Sequence, residues 1–189
     1  MKRFFSFIAV ALIAIACFGK ASDKQLQLIK KDGIAVIFDK TKKANLVYKF
    51  TEDCTAAFQN MSIVTFKQYT EMNSEWDEEW KEASEGFRKD WNKRNKKGMI
   101  VVDEEADYTI QITIGGIKEF SSVMAVHWEI CKGTVEIIDN ATKNVVVAYN
   151  INEYHEGVGG FRALALRNRI YATLEGLSES CYILAKKAQ

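Results

Sequence analysis

The second half of the chain contains a long stretch in which apolar and polar residues alternate. Between Tyr108 and Ile114, and again between Val126 and Ile130, every second residue is apolar. This period of two is typical of a β-strand with one buried side and one solvent-facing side. Together with the apolar run at 145–151, which follows a polar turn, the pattern predicts three consecutive antiparallel strands.

The apolar positions change parity within the second of these strands. Trp128 and Ile130 have even numbers, whereas Val135 and Ile137 have odd numbers. A regular strand cannot move its apolar side chains to the other face without an extra residue or a kink. The sequence therefore predicts a bulge or bend near residues 132–133.

Two segments show the helical period instead. Residues 74–97 carry one apolar stripe on a charged background, with Ser74 as the expected N-cap and Gly98 as the end. Residues 161–187 also have one apolar face, and Gly176 is expected to weaken or bend that helix. The first stripe, which we expect to pack in the core rather than to form a sugar platform, consists of Trp76, Trp80, Ala83, Phe87 and Trp91.

Two apolar runs lie closer to the start of the chain. Residues 33–38 and 45–50 are strand candidates that we expect to pair as a hairpin across a lysine-rich turn. Residues 51–70 fit a strand or a helix equally well. The order of strand pair, helix, three-strand meander and helix predicts an α+β fold, with an antiparallel or mixed sheet of about five strands and two main helices packed on one face.

The first 21 residues have the layout of a secretory signal peptide. Lys2 and Arg3 are followed by an uncharged apolar run at 4–18, and small residues stand where a signal peptidase cleaves. We therefore expect residues 1–21 to be a signal peptide and residues 22–189 to form a single exported domain. In a bacterium its location would be the periplasm or the outer membrane, and otherwise it would be secreted.

Cys17 introduces an alternative to plain export. The residues before it, Ile15 and Ala16, loosely resemble the lipobox of a bacterial lipoprotein, although Ala14 replaces the usual leucine. In such a protein the cysteine is lipidated and becomes the N-terminus. A lipid anchor at Cys17 is the membrane attachment that we consider, and cleavage without lipidation is favoured.

Composition and charge narrow the partners. Of 189 residues, 48% are hydrophobic and none is proline, which indicates a folded domain without a proline-rich linker. Removal of residues 1–21 leaves 23 basic and 25 acidic residues. A near-neutral chain has no electrostatic footprint for nucleic acid, so we expect no nucleic-acid partner. Cys54, Cys131 and Cys181 then remain, either as one disulfide and a free thiol or as three buried thiols.

A glycine-rich turn is the main candidate for ligand chemistry. Gly157, Gly159 and Gly160 follow a predicted strand and precede the last helix, where backbone N–H groups are able to approach an anion. Arg162 and His155 lie beside this turn and add charge. These five residues form a candidate site for a phosphate-type or nucleotide-type ligand, with a flexible joint as the alternative explanation.

The remaining residue types point away from assembled catalytic chemistry. His127 and Glu129 fall on the solvent-facing side of their strand, so we expect His127 to be a surface residue. The HExxH spacing, CxxC pairs and a GxSxG elbow are absent from the sequence. We therefore assign no catalytic residue, no metal site and no cofactor.

The C-terminal half resembles the modules of small bacterial envelope proteins. The strand 133–139 ending in Asp139, the turn with Thr142 and Lys143, and the valine-rich strand before a glycine-rich turn and final helix carry this resemblance. Similar arrangements occur in curli-secretion and penicillin-binding-protein-activator lipoproteins and in the N-terminal domain of the Tol translocation protein. The chain also resembles secreted proteins of Bacteroidetes. The resemblance implies a non-enzymatic binding or assembly module whose partner is a protein or another envelope component.

Overall fold

A computed structural model describes residues 25–58, 63–121, 125–158 and 165–189. These residues form one seven-stranded mixed sheet with helices on one face. The expected α+β class is confirmed, and the sheet has seven strands where about five were predicted. The strands are β1 (Leu26–Lys30), β2 (Lys43–Phe58), β3 (Val64–Thr65), β4 (Ile100–Val102), β5 (Tyr108–Ser121), β6 (Val126–Asp139) and β7 (Val145–Val158). The helices are a 3₁₀ helix (Ile34–Phe38), α1 (Phe66–Met72), α2 (Trp76–Ala83), α3 (Glu85–Arg94) and α4 (Leu166–Ala188).

The strand order is β1-β7-β6-β5-β2-β3, and β4 also pairs with β2. The predicted meander is confirmed, because β5, β6 and β7 are consecutive antiparallel neighbours. In contrast, β2 runs parallel to β5 and does not form a hairpin with the run before it. A parallel pair requires a long crossover connection, and the segment that carries α1, α2 and α3 supplies it.

The strand predicted over 33–38 is wrong, because Ile34–Phe38 form a 3₁₀ helix. The Ile37 side chain is fully buried, and its carbonyl oxygen accepts hydrogen bonds from the Met99 N–H and from Asn95 Nδ2. Both donors follow α3, far along the chain. A short apolar run fits either structure, and these tertiary contacts favour the 3₁₀ helix.

The helix predicted over 74–97 is divided at Ser84 into α2 and α3, and it ends at Arg94. Its N-cap residue is Glu75, so the prediction that Ser74 caps the helix is wrong. The stripe packs in the core as predicted. Its buried members are Trp76, Ala83, Phe87 and Trp91, and Trp80 is half-buried.

Helix α4 packs across β6 and β7 on the same face as the other helices. The Tyr149 hydroxyl donates to the Cys181 carbonyl oxygen, and the Thr173 hydroxyl donates to the Trp128 carbonyl oxygen. Gly176 lies inside this regular helix, and a Cβ there would lie 2.3 Å from Cγ of Glu156. The glycine therefore provides room for a side chain of β7. Among the described helices, none is long and apolar enough to cross a membrane.

The four long strands are irregular at one level of the sheet. The pairing of β5 with β6 shifts register around Gly116, which leaves Cys131 as the extra residue of β6. At the same level, the β2 register shifts just before Thr55, and Glu153 of β7 has a φ of 50°. A left-handed φ costs a residue other than glycine about 1 kcal/mol or more. The predicted bulge in β6 is thus confirmed, one residue before 132.

These irregularities divide the sheet into two halves. In β5, β6 and β7 the side chains of the two halves alternate with opposite parity, whereas in β2 even-numbered residues such as Phe50 and Ala56 face the helices in both halves. We call residues 55–58, 116–121, 126–130 and 154–158 the upper half, and 43–50, 108–114, 132–139 and 145–152 the lower half. The side of the sheet without described helices is called the open face. Bulges commonly change the direction of side chains near functional sites. The upper half is therefore a candidate location for a functional site.

Candidate functional site

Three strands place a row of ionisable side chains on the open face of the upper half. Lys118 of β5 lies opposite Glu129 of β6, which in turn lies opposite His155 of β7. Glu129 Oε2 is 3.3 Å from His155 Nδ1. The Glu129 side chain is only 7% exposed and that of His155 is 30% exposed. The row therefore contains a carboxylate–imidazole pair that is largely withdrawn from water.

The next row of the upper half is aromatic. Phe120 lies opposite His127, which lies opposite Gly157. The rings of Phe120 and His127 stack with centroids 4.6 Å apart, and His127 meets His155 edge to face at 4.8 Å. A Cβ on Gly157 would lie 3.0 Å from His127 Cε1, so the glycine leaves room for the imidazole ring.

Cys131, the bulge residue, completes what we call the histidine cluster: Phe120, His127, Glu129, Cys131 and His155. The Cys131 thiol donates to Glu129 Oε1 over 3.5 Å. Burial, followed by the charge of Glu129, raises the pKa of this thiol to about 12. A thiol with so high a pKa is not a nucleophile at neutral pH. Cys54, Cys131 and Cys181 are all free thiols.

The environment moves the pKa values of the two histidines in opposite directions. The hydrogen bond with Glu129 raises the pKa of His155. Burial, followed by the charge on His155, lowers the pKa of His127. Burial alone would raise the pKa of Glu129, but the hydrogen bonds from His155 and Cys131 outweigh it and lower that pKa. The raised pKa of His155 and the lowered pKa of His127 therefore favour a proton on His155, beside Glu129, over a proton on His127.

The chemistry available to this arrangement is proton binding. Within residues 25–58, 63–121, 125–158 and 165–189, no group of three His, Cys, Asp or Glu side chains is arranged to hold a metal ion. An imidazole beside a buried carboxylate binds a proton tightly, and a second imidazole in contact with it then binds the next proton weakly. The histidine cluster can thus hold one proton firmly between His155 and Glu129 and bind a second proton more weakly at His127.

The helix face of the upper half carries a second polar network. Glu119 of β5 accepts a 2.6 Å hydrogen bond from the Tyr69 hydroxyl of α1 and forms an ion pair with Arg169 of α4. The side chains of Glu119 and Arg169 are 15% and 11% exposed. Because this carboxylate joins two helices to the sheet, its evident role is to position them.

A groove of about 600 Å³ lies elsewhere, between α2, α3 and α4. Its lining includes Glu78, Glu82, Lys89 and Arg167, so both signs of charge are mixed along it. The groove does not reach the histidine cluster, and its charges do not single out a ligand of either sign.

Two residues of the predicted anion site lie in the histidine cluster or beside it. His155 faces Glu129, and Gly157 faces His127. Glu156 lies on the helix face instead, where burial raises its pKa. His155 and Glu156 therefore lie on opposite faces of the sheet and do not form one polar cluster. The other predicted positions, Gly159, Gly160, Arg162 and Cys17, lie outside the described residues, so the anion site and the lipid anchor stay predictions.

The alternation of apolar and polar residues did not identify the two central members of the cluster. His127 and Glu129 were expected on the solvent-facing side, but they are only 9% and 5% exposed. The prediction that both side chains lie on the face away from the helices is correct. The prediction that they are exposed to solvent is wrong, because side chains of β5 and β7 surround them. The parity change of the apolar positions at Cys131 was the sequence signal that pointed to this region, since it marks the bulge next to Glu129.

Comparisons with known proteins give no family. No protein-family model matches the chain, and no curated protein sequence matches it. The PelC dodecamer from Paraburkholderia phytofirmans aligns with a TM-score of 0.39 and 13% identity, over 82% of this chain and 95% of that chain. A single-substitution variant of the same PelC gives 0.36 and 11%, over 82% and 93%. An uncharacterized protein of known crystal structure gives 0.37 and 7%, over 81% and 95%. These TM-scores are too low to assign the chain to the fold of any of these proteins.

Proposed function

We propose that this chain is an exported cell-envelope domain that binds another envelope protein through the open face of its sheet. The apolar segment at 4–18, with its basic head, supports export. The observation that carries the binding role is the open face of the lower half. The described helices pack on the opposite face, and long strands here present a broad surface.

The residues of this surface suit reversible protein binding. Small apolar side chains are mixed with uncharged polar ones, and few charges interrupt them. Such a mixture is typical of interfaces between proteins that also exist apart. Half-buried side chains at its centre are Val47, Gln111, Thr113, Thr134, Glu136 and Ile138.

The edge strands of the sheet are poorly suited to binding another protein. At one edge, β1 has five residues, a register shift between Leu28 and Lys30, and a charged end. At the other edge, β3 has two residues and β4 has three. Short, bulged and charged edges prevent pairing with strands of other chains. A partner is therefore expected on the face and not along an edge.

Site-specific photo-crosslinking in the producing cells tests this proposal. A photoreactive residue at Thr134, in the centre of the open face, is expected to give a discrete adduct with one envelope protein. The matched control is Glu78, which is exposed on α2. Thr113→Arg should reduce the Thr134 adduct several-fold, whereas Asp77→Arg on α2 should leave it unchanged. The absence of an adduct at Thr134, or the same adduct from both positions, would contradict the proposal.

A further inference from the structure

We propose that His127, Glu129 and His155 form a proton-operated switch that controls the pairing of the upper halves of β6 and β7. In the closed state one proton is held between His155 and Glu129, and His127 is neutral. Uptake of a second proton by His127 weakens the closed state. The switch is a property of this fold and does not depend on the binding role proposed above.

The geometry explains why the second proton is costly. The His127 ring touches the His155 ring at 4.8 Å between centroids and is stacked on Phe120 at 4.6 Å, so a charged His127 has little access to water. His127 hydrogen-bonds to the backbone of Glu156, and the nearby Glu129 carboxylate is already paired with His155, whose Nδ1 lies 3.3 Å from its Oε2. A second positive charge is unfavourable here because His127 is only 9% exposed and lies against the protonated His155.

The surrounding charges act in the same direction. From β5, Lys118 lies opposite Glu129 and adds a further positive charge to the open face. From β6, Cys131 is a neutral thiol that donates to Glu129. From β7, Glu153 precedes the row, and Glu156 lies on the helix face beside Tyr154. Two imidazolium groups and one lysine would therefore face a single largely buried carboxylate.

The sign of the pH dependence follows from the two histidines. His127 binds its proton more weakly when closed than when open, so acidification below its ordinary pKa of 6.5 favours opening. His155 binds its proton more tightly when closed, so a rise in pH from 6.5 through its raised pKa also favours opening. The closed state is thus most stable near pH 6.5 and loses stability on either side.

Amide hydrogen exchange on the purified full chain, measured from pH 5 to 8.5, tests the switch. After correction for intrinsic exchange rates, protection at 127–130 and 154–157 should fall by up to about tenfold per pH unit below 6.5, as expected for one proton. Residues 134–138, in the lower half of β6, should not show this fall. Equal losses in both halves of β6 would overturn the proposal.

Two substitutions separate the two arms of the profile. His127→Gln should abolish the acid arm and keep the alkaline arm. His155→Gln should abolish the alkaline arm and weaken the acid arm, because burial still lowers the pKa of His127 but the charge on His155 no longer does. His127→Phe, which retains an aromatic ring on Phe120, is a second variant without a titrating group. An acid arm that persists in a His127 variant overturns the switch. If the variants do not fold, the histidine Cε1 resonances of the unsubstituted protein still decide, because a His127 pKa at or above that of His155 overturns it too.

Discussion

Glu129 and His155 occupy directly opposed positions on neighbouring antiparallel strands, with 3.3 Å between Oε2 and Nδ1. The pair sits immediately above the level at which β6 and β7 each contain an irregular residue, Cys131 and Glu153. Without those two residues the alternation would place Glu129 and His155 on the helix face, among the core side chains. The irregular level thus determines where the ionisable groups of the upper half meet.

Glu129→Gln is expected to return the His155 pKa toward its ordinary value of about 6.5. It should also lower the free energy of unfolding at pH 6 by about 1 kcal/mol, since a hydrogen bond between charged groups is lost at a partly exposed site. The loss should be smaller at pH 9, where His155 is neutral in either protein. A histidine NMR titration and urea unfolding at the two pH values measure these effects.

Glu136→Gln is the matched control for that substitution. Glu136 lies on the same strand and the same face, and its Oε2 is 3.4 Å from Gln111 Nε2. The control should leave the His155 titration unchanged. A His155 pKa that is the same in Glu129→Gln as in the unsubstituted protein would mean that the carboxylate does not hold the imidazolium.

Two glycines at the irregular level should respond differently to alanine. A Cβ at Gly133 would lie 2.3 Å from the carbonyl oxygen of Thr113, a rigid backbone atom, whereas a Cβ at Gly116 would have its nearest neighbour, Thr55 Oγ1, at 3.5 Å. Gly133→Ala is therefore expected to cost more than about 2 kcal/mol, and Gly116→Ala less than about 1 kcal/mol. Urea denaturation measures both, and equal costs would show that the strands relax around the added methyl group.

Sequence patterns were informative wherever a whole element shared one period. The alternation in β5, β6 and β7 predicted three strands because each has one face toward the helices. The parity change between Ile130 and Val135 predicted the bulge because both residues must face the core, where they are 0% and 1% exposed. The tryptophan stripe of α2 and α3 was interpretable for the same reason.

The pattern failed where contacts between distant segments decide the structure. Residues 34–38 have the length and composition of a strand, but hydrogen bonds from Asn95 and Met99 to Ile37 hold them in a 3₁₀ helix. The burial of His127 and Glu129 depends on which residues of β5 and β7 lie opposite them. That pairing depends on irregularities in three strands at once. The alternation of apolar and polar residues within a single strand does not predict which residues of the neighbouring strands lie opposite it.

Export by signal-peptide cleavage predicts a defined N-terminus. Protein isolated from the producing cells should have an intact mass that lacks residues 1–21 and should begin at Ser22. The lipoprotein alternative predicts a chain that begins at Cys17 and carries acyl groups. Cys17→Ala should leave the first product unchanged and should abolish the second. Recovery of an intracellular protein that still begins at Met1 would contradict both.

The alternative function, a phosphate-type ligand at the glycine-rich turn, predicts thermal stabilisation by inorganic phosphate or a nucleotide. A ligand at one hundred times its dissociation constant adds about 2.7 kcal/mol to the free energy of unfolding. Arg162→Met should remove this effect, whereas Arg167→Met, on the nearby helix, should keep it. Sodium chloride at equal ionic strength controls for screening. The absence of a shift with any anion would remove this alternative.

Two arginines of α4 allow the buried and exposed ion pairs to be compared directly. Arg169 pairs with Glu119, and their side chains are 11% and 15% exposed, while Arg167 pairs with Glu82 at 51% and 55%. Removing one partner of a buried pair leaves an uncompensated charge, so Arg169→Met should cost about 3 kcal/mol. Arg167→Met should cost less than about 1 kcal/mol, because water replaces the lost partner.

The Glu119 network also predicts non-additive losses. With Arg169 absent, the Glu119 carboxylate retains the 2.6 Å hydrogen bond from Tyr69, and among the described residues no other cation forms an ion pair with it. Glu119→Gln then removes the uncompensated charge, so the double substitution Glu119→Gln and Arg169→Met should be less destabilising than the sum of the single ones. Urea unfolding of the four proteins measures this coupling. If the losses simply add, or if both arginine variants are equally stable, Glu119 does not hold α4 to the sheet.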